Sequence, residues 1–170
     1  MTALASETVV TDSQRFRQVL GAFPTGVTVV TALGADGRPV GMAVGSFTSV
    51  SLDPPLIVYL PARTSTSFPR IRRASSFCVN VLGAHQQDLC RAFASKGGDK
   101  FAGVEWSPTP SGAPRLHGVE AWIDCTPYRI TTAGDHFLVI GRVEALDCTD
   151  AGHPMVFHRG RYGHVTPTAG

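Results

Sequence analysis

GMAVGSFTSVSLDPP, residues 41–55, is the stretch on which the reading of this chain turns. Gly41, Ala43, Gly45, Ser46 and Ser49 are small, so another group can approach the backbone closely there, while Ser46, Thr48, Ser49 and Ser51 keep hydroxyls available. A flat ligand with a polar edge suits such a surface. Asp53-Pro54-Pro55 removes two backbone donors and forces an extended turn, after which Leu56, Ile57, Val58, Tyr59 and Leu60 form the continuous apolar run of a buried strand. The expectation is a strand, a hydroxyl-rich crossing and a second strand, rigidly joined.

Upstream of this stretch, Val27 to Leu33 is β-branched and alternates only weakly, as a strand covered on both sides does. Asp36-Gly37 is a hairpin turn signal leading into a strand over 39–44. Earlier still, Thr11, Asp12 or Ser13 can cap a helix whose Phe16, Val19, Leu20 and Phe23 recur at helical spacing, which predicts one face packed on the core. Residues 1–12 are expected as a flexible arm and 13–165 as one domain.

Downstream, Arg63, Thr64, Ser65, Thr66 and Ser67 precede a short helical pattern over 68–74 with Pro69 in its first turn. Two readings stand: a phosphate site built on a helix N-terminus, or a capped helix with a solvated arginine. A strand over 76–82, a helix over 86–94 with Leu89, Cys90 and Phe93 on one side, and a mobile loop over 95–100 follow. Phe101 either packs in the core or covers a ligand's edge. Residues 108–114 are turn-rich, and strands return over 121–130 and 137–146. Many short strands with few helices and no βαβ alternation give a mainly β fold, an antiparallel barrel with peripheral helices.

Bulk composition narrows the function. At 170 residues the chain holds one domain, and with 16% charged and 43% apolar residues some apolar surface is available for a partner subunit, which a homodimer would cover. A net charge of +2, with no basic run longer than Arg72-Arg73, gives no footprint for nucleic acid. Cys78, Cys90, Cys125 and Cys148 are widely spaced without a CxxC, the pattern of small buried hydrophobes. With no basic, apolar leader and no run of ~18 apolar residues, a cytoplasmic protein without a membrane span is expected.

Gly134-Asp135-His136 presents a histidine from a tight turn at the start of the strong strand FLVIGRVEAL. Taken alone, such a histidine is more often structural or solvent-exposed than catalytic. Phe157-His158-Arg159-Gly160-Arg161-Tyr162-Gly163 is either a solvated tail or a set of aromatic and guanidinium planes that can stack on a nicotinamide or adenine. The spacing of His153, His158 and His164 fits no common zinc pattern, so no metal is expected. The absence of GxSxG speaks against a hydrolase, and the absence of GxGxxG against a Rossmann-bound dinucleotide.

SFTSVSLDPPL at 46–56, preceded by PTGVTVVT at 24–31 and followed by GDHFLVIGRVE at 134–144, resembles the flavin reductases that supply reduced flavin to two-component monooxygenases. The resemblance runs in order from about Phe16 to Gly163. It implies the antiparallel FMN-binding split β-barrel, usually a homodimer with its site at the subunit interface. It also implies NAD(P)H:flavin oxidoreductase activity, with FMN or FAD reduced by NADH or NADPH and then released to a monooxygenase component. By the same resemblance, Met42, Ala43, Val44, Gly45 and Ser46 line the isoalloxazine, Ser49, Val50 and Ser51 hold the ribityl chain, and Arg63, Ser65 and Thr66 take the phosphate. Gly134 and Asp135 present His136, the catalytic candidate, to the nicotinamide, and Tyr162 matches the family's RGxY ending. Ala43 stands where threonine is frequent in the family, and Gly45 where a polar side chain can occur, so backbone contacts would have to serve there. Rival readings are a pyridoxamine-phosphate-oxidase-like or deazaflavin-dependent enzyme on the same barrel, and a non-catalytic flavin carrier.

Overall fold

The structure is a computed structural model that describes residues 12–149 and 152–166. In chain order its elements are α1 (Ser13–Leu20), β1 (Thr25–Gly26), β2 (Thr28–Leu33), β3 (Pro39–Val44), β4 (Thr48–Leu52), β5 (Pro55–Tyr59), α2 (Phe68–Ile71) and β6 (Phe77–Val81). They continue with α3 (Gln87–Ala94), β7 (Trp106–Pro108), β8 (Pro114–Leu116), β9 (Ala121–Ala133), β10 (His136–Cys148), β11 (Met155–His158) and β12 (Arg161–His164). Seven strands form one antiparallel sheet in the order β3-β2-β6-β9-β10-β5-β4; β1, β11 and β12 form a second, and β7 pairs with β8.

The β-branched run of β2 is buried because it separates two cores. Val30 and Ala32 face a cluster with Val40, Ile57, Tyr59, Phe77 and Val139, around which the seven-stranded sheet curls. Val29 faces the other way, into a cluster with Leu82, Cys90, Phe93 and Met155 beneath α3. A strand with both faces covered needs no alternation, which is the pattern its sequence showed. Across the two long strands, Gly141 leaves space for Phe77: a Cβ there would lie 2.4 Å from the Phe77 ring. Glycine at this position lets the ring of Phe77 pack directly on the β10 backbone.

Two buried polar side chains fix β8 and the irregular segment that leads into it. Asn80 donates to the Val29 carbonyl and to Thr31 Oγ1, both at 3.0 Å, and accepts the Leu116 N–H at 2.8 Å. Asp124 accepts Thr109 Oγ1–H at 2.8 Å and the Ser111 N–H at 2.9 Å. Each satisfies groups that would otherwise be buried without a partner.

Several expectations are corrected. Asp12 caps α1 through the Gln14 N–H at 2.9 Å, while the rest of the expected arm lies outside the described residues. No residue of α1 is buried: Phe16, Leu20 and nearby Phe23 are 62%, 55% and 73% exposed, so the apolar face does not pack on this chain's core. Residues 48–52 are not a crossing but the edge strand β4, folded back on β5 by the Asp53-Pro54 turn, with a bulge at Val50. Cys148 is exposed, unlike the other three cysteines, because β10 runs past the core before it ends. The C-terminal segment is the β11–β12 hairpin joined to β1, which excludes the solvated tail. Among the described residues no helix is long and apolar enough to cross a membrane.

Candidate functional site

Two stretches far apart in sequence are stitched together by backbone. The Arg63 N–H donates to the Asp135 carbonyl at 2.9 Å, the Phe137 N–H donates to the Pro61 carbonyl at 2.9 Å, and Ala62 bridges His136. The hydroxyl-rich loop after β5 and the Gly134–Asp135–His136 turn are therefore one surface. Gly134, at φ 60°, makes the tight turn that delivers His136 to the first position of β10.

Asp135 Oδ1 lies 2.7 Å from His136 Nδ1. The hydrogen bond and charge of His136 hold the Asp135 carboxyl below the usual carboxylate range, with a further contribution from Arg17 on α1. An ionised carboxylate only accepts, so Nδ1 carries the proton and Nε2 is the ring nitrogen left to meet a ligand. The imidazole is partly exposed, and its orientation is set by its neighbour in sequence.

The loop's side chains point to two clefts on either side of α2. Arg63 and Ser65 line one of about 370 Å³ with Arg72, Arg73 and Phe137, and no acidic side chain contributes to that lining among the described residues. The Arg72 guanidinium lies over the Phe137 ring at 5.3 Å. Three guanidiniums with a hydroxyl suit a phosphate. That donor set replaces the helix N-terminus, because α2 has only four residues and Ser67 makes no side-chain cap. Arg72 and Arg73 went unassigned in the sequence, although they follow Phe68 and Pro69 by four positions and so share their face.

Thr66 lines the second cleft, of about 620 Å³, together with Phe101. Phe101 packs edge-to-face on Phe93 at 5.0 Å, so it is both a wall of that cleft and part of the second core.

Along β3 and its continuation, Met42 packs on the first core and lies 3.8 Å from the Ser65 hydroxyl, joining the strand to the loop. Val44 is buried and Ala43 packs towards the second core, so both offer backbone rather than side chain. Gly45 is exposed, with Thr25 Oγ1 3.2 Å from where its Cβ would stand. The Ser46 hydroxyl is already engaged, accepting the Leu60 N–H at 3.0 Å and donating to the Leu60 carbonyl at 3.2 Å. Ser49, Val50 and Ser51 sit on the outermost strand, where the bulge leaves Val50 without a ladder partner on β5.

Tyr162 stands apart from these groups. It lies on β12 in the second sheet, its ring 5.3 Å from Phe157 and its hydroxyl accepting Cys90 Sγ–H at 3.4 Å. The end of α1 meets this hairpin, the Gly21 carbonyl accepting the Arg159 N–H at 3.0 Å, and Arg17 on the same helix contributes to the lowered Asp135 pKa.

A mainly antiparallel barrel with a cationic pocket joined to a histidine turn defines a class, and the comparisons name it. Residues 20–166 match the family described as flavin reductase like domain. The chain is 52% identical over 165 residues to a flavin reductase of Pseudomonas putida, covering 96% of this chain and 97% of that one. It is 45% identical to the reductase subunit HsaB of a flavin-dependent monooxygenase from Rhodococcus jostii (strain RHA1), covering 97% and 83%. In structure it is similar to the Streptomyces globisporus C-1027 NADH:FAD oxidoreductase SgcE6, solved with NAD and FAD fragments, at a TM-score of 0.88 and 37% identity over 98% of this chain and 100% of that one. This chain belongs to the flavin reductase family, and its fold is the split barrel.

Proposed function

We propose that this chain takes hydride from NADH or NADPH onto FMN or FAD and releases the reduced flavin to a separate monooxygenase component. The observation that carries the reading is the Arg63–Asp135 backbone bond, which fixes a cationic pocket and a presented histidine on one surface. The relatives favour a reductase over a pyridoxamine-phosphate-oxidase-like enzyme or a carrier, since those cited above are named as a flavin reductase, the reductase subunit of a monooxygenase and an NADH:FAD oxidoreductase.

The donor set fits a phosphate-bearing flavin: Arg63, Ser65, Arg72 and Arg73 hold the phosphate, and the exposed backbone at Gly45 meets the ring's polar edge. Ser49, Val50 and Ser51 on β4 hold the ribityl chain in this reading, while Thr66, which lines the other cleft, is not part of the phosphate set. Flavin supplies the electron-accepting ring, and the chain supplies position. His136 orients the nicotinamide through Nε2 while Asp135 fixes its tautomer. No proton has to move for hydride transfer itself, so the histidine acts by placement.

The functional unit in this reading is a homodimer of the 13–165 domain. The exposed apolar side chains of Phe16, Leu20 and Phe23, with Leu52 94% exposed on the edge strand β4, support it. A second copy would also bring a Tyr162 to the seat. Anaerobic addition of NADH or NADPH to the protein with oxidised flavin should bleach the flavin absorbance catalytically. Bleaching no faster than in protein-free buffer would leave the carrier reading in place.

A further inference from the structure

We propose that Ser107, His117 and Glu105 on the β7–β8 hairpin form a second catalytic site, in which Ser107 takes the acyl group of small uncharged esters. The inference does not rest on the flavin reading, since none of these residues belongs to the loop over 61–66 or to the Gly134–His136 turn.

The hairpin has two unlike faces. Trp106 and Leu116 are partners across the ladder, and both pack on the second core, Leu116 fully buried. Side chains alternate along a strand, so Glu105, Ser107, Arg115 and His117 share the opposite face. Ser107 stands across the ladder from Arg115, and the His117 N–H donates to the Glu105 carbonyl at 3.1 Å. Bonds to the rest of the fold hold this face in place: Asn80 Oδ1 accepts the Leu116 N–H at 2.8 Å, and the His117 carbonyl accepts from Gln86 Nε2 at 3.2 Å.

On that face a nucleophile, a base and an orienting acid stand in line. Ser107 Oγ lies 2.7 Å from His117 Nε2, and Glu105 Oε2 lies 3.5 Å from His117 Nδ1. An ionised carboxylate only accepts, so the imidazole proton belongs on Nδ1, and Nε2 is left to accept the Ser107 hydroxyl. In that arrangement an imidazole activates a serine, and it is recognised by geometry rather than by sequence order. The missing GxSxG does not exclude it, because that frame serves a serine on a strand-to-helix elbow, whereas Ser107 stands within a strand of a hairpin.

Beside His117 opens a cavity of about 280 Å³, walled by Arg115, Gly118 and Trp122 and bordered by Glu120 and Asp147. Ordinary ligand sites run to ~300–1,000 Å³, so only a small substrate fits, and the two carboxylates disfavour an anionic one. Arg115 lies over the Trp122 ring at 5.3 Å, without a carboxylate partner among the described residues, and supplies positive charge for an oxyanion. In the acylation step Ser107 Oγ bonds to the ester carbonyl carbon while its proton passes to Nε2. Collapse of the tetrahedral adduct breaks the ester C–O bond, and the departing alcohol takes the proton from Nε2. Water then attacks the acyl-serine by the same route, which releases the carboxylic acid and restores the hydroxyl.

The test uses the full-length protein and p-nitrophenyl acetate, without flavin or NADH. Nitrophenolate release is followed by absorbance, and the acetylated residue is located by peptide mass spectrometry. The wild type should carry one acetyl group on Ser107. Ser107→Ala and His117→Gln should each lower nitrophenolate release at least about tenfold, and Glu105→Gln should lower it by a smaller factor. Flavin reduction by NADH should stay within about twofold in all three variants. Glu105 is 86% exposed, so Glu105→Gln tests the line of groups even if another variant fails to fold. An unmodified Ser107 in the wild type overturns the proposal and leaves the three side chains as a brace for the hairpin. Release that persists in Ser107→Ala but is lost in His117→Gln also overturns it, since the imidazole would then be attacking the ester by itself.

Discussion

The loop over 61–66 and the hairpin that carries Tyr162 were both candidate parts of one site, yet the fold treats them differently. The loop is tied to the Gly134–His136 turn by backbone bonds at 2.9 Å, so its position follows from the barrel. The hairpin belongs to another sheet and is bonded to the end of α1, whose apolar residues remain exposed. A surface built on strand ends is fixed within one chain by its backbone bonds, whereas the helix face beside the hairpin leaves apolar side chains uncovered.

The largest effect should come from breaking the barrel beneath the first region. Gly141→Val puts a Cβ 2.4 Å from the Phe77 ring, in a wall with no slack. Overpacking of this kind costs roughly 1–3 kcal/mol or more, and thermal unfolding should show a large fall in Tm. An unchanged Tm would mean that Phe77 can move aside.

Arg63→Ala should weaken FMN by roughly 1.5–3 kcal/mol, the scale of one charge-assisted hydrogen bond, while riboflavin, which lacks the phosphate, is little affected. Equal losses for both ligands would move the phosphate elsewhere. The second region is tested by Phe16→Ser with Leu20→Ser. Sedimentation of the wild type at micromolar concentration should show about twice the 18.0 kDa chain mass, and the double variant should sediment as a monomer with reduced NADH turnover. A wild-type monomer with full activity would break the contrast between the regions.

Smallest is Asp135→Asn, which keeps an acceptor near Nδ1 but removes the charge; a rise in NADH KM of less than about threefold is expected. Because the Asp135 pKa is lowered in the folded state, its bond to His136 is retained at neutral pH and is lost only as pH falls through that lowered value. The variant should therefore flatten the acid limb of the KM profile.

Much of the first region was legible in sequence. Val27 to Leu33 is β-branched because both of its faces are covered, Asp36-Gly37 closes the β2–β3 hairpin, and Gly134-Asp135-His136 starts β10 as its turn chemistry suggested. The remainder depended on nonlocal contacts. Periodicity showed which side of α1 seeks burial, but it carries no information on what covers that side. Thr48 to Leu52 became a strand because the Asp53-Pro54 turn folds it onto β5. Arg72 and Arg73 gained meaning only when the chain's return brought Phe137 beside them. Ser46, chosen for an available hydroxyl, was already paired with Leu60.

The central claim is that His136 positions the nicotinamide from a turn locked to the flavin loop. His136→Ala, studied by steady-state kinetics and flavin titration with its Tm measured alongside, tests this most directly. The account predicts a raised KM for NAD(P)H and a kcat/KM lower by about tenfold to a few hundredfold, roughly 1.4 kcal/mol per factor of ten, with flavin affinity nearly unchanged. Unaltered NAD(P)H kinetics, or a joint loss of stability and flavin affinity, would contradict it and leave His136 as a brace for the turn before Phe137.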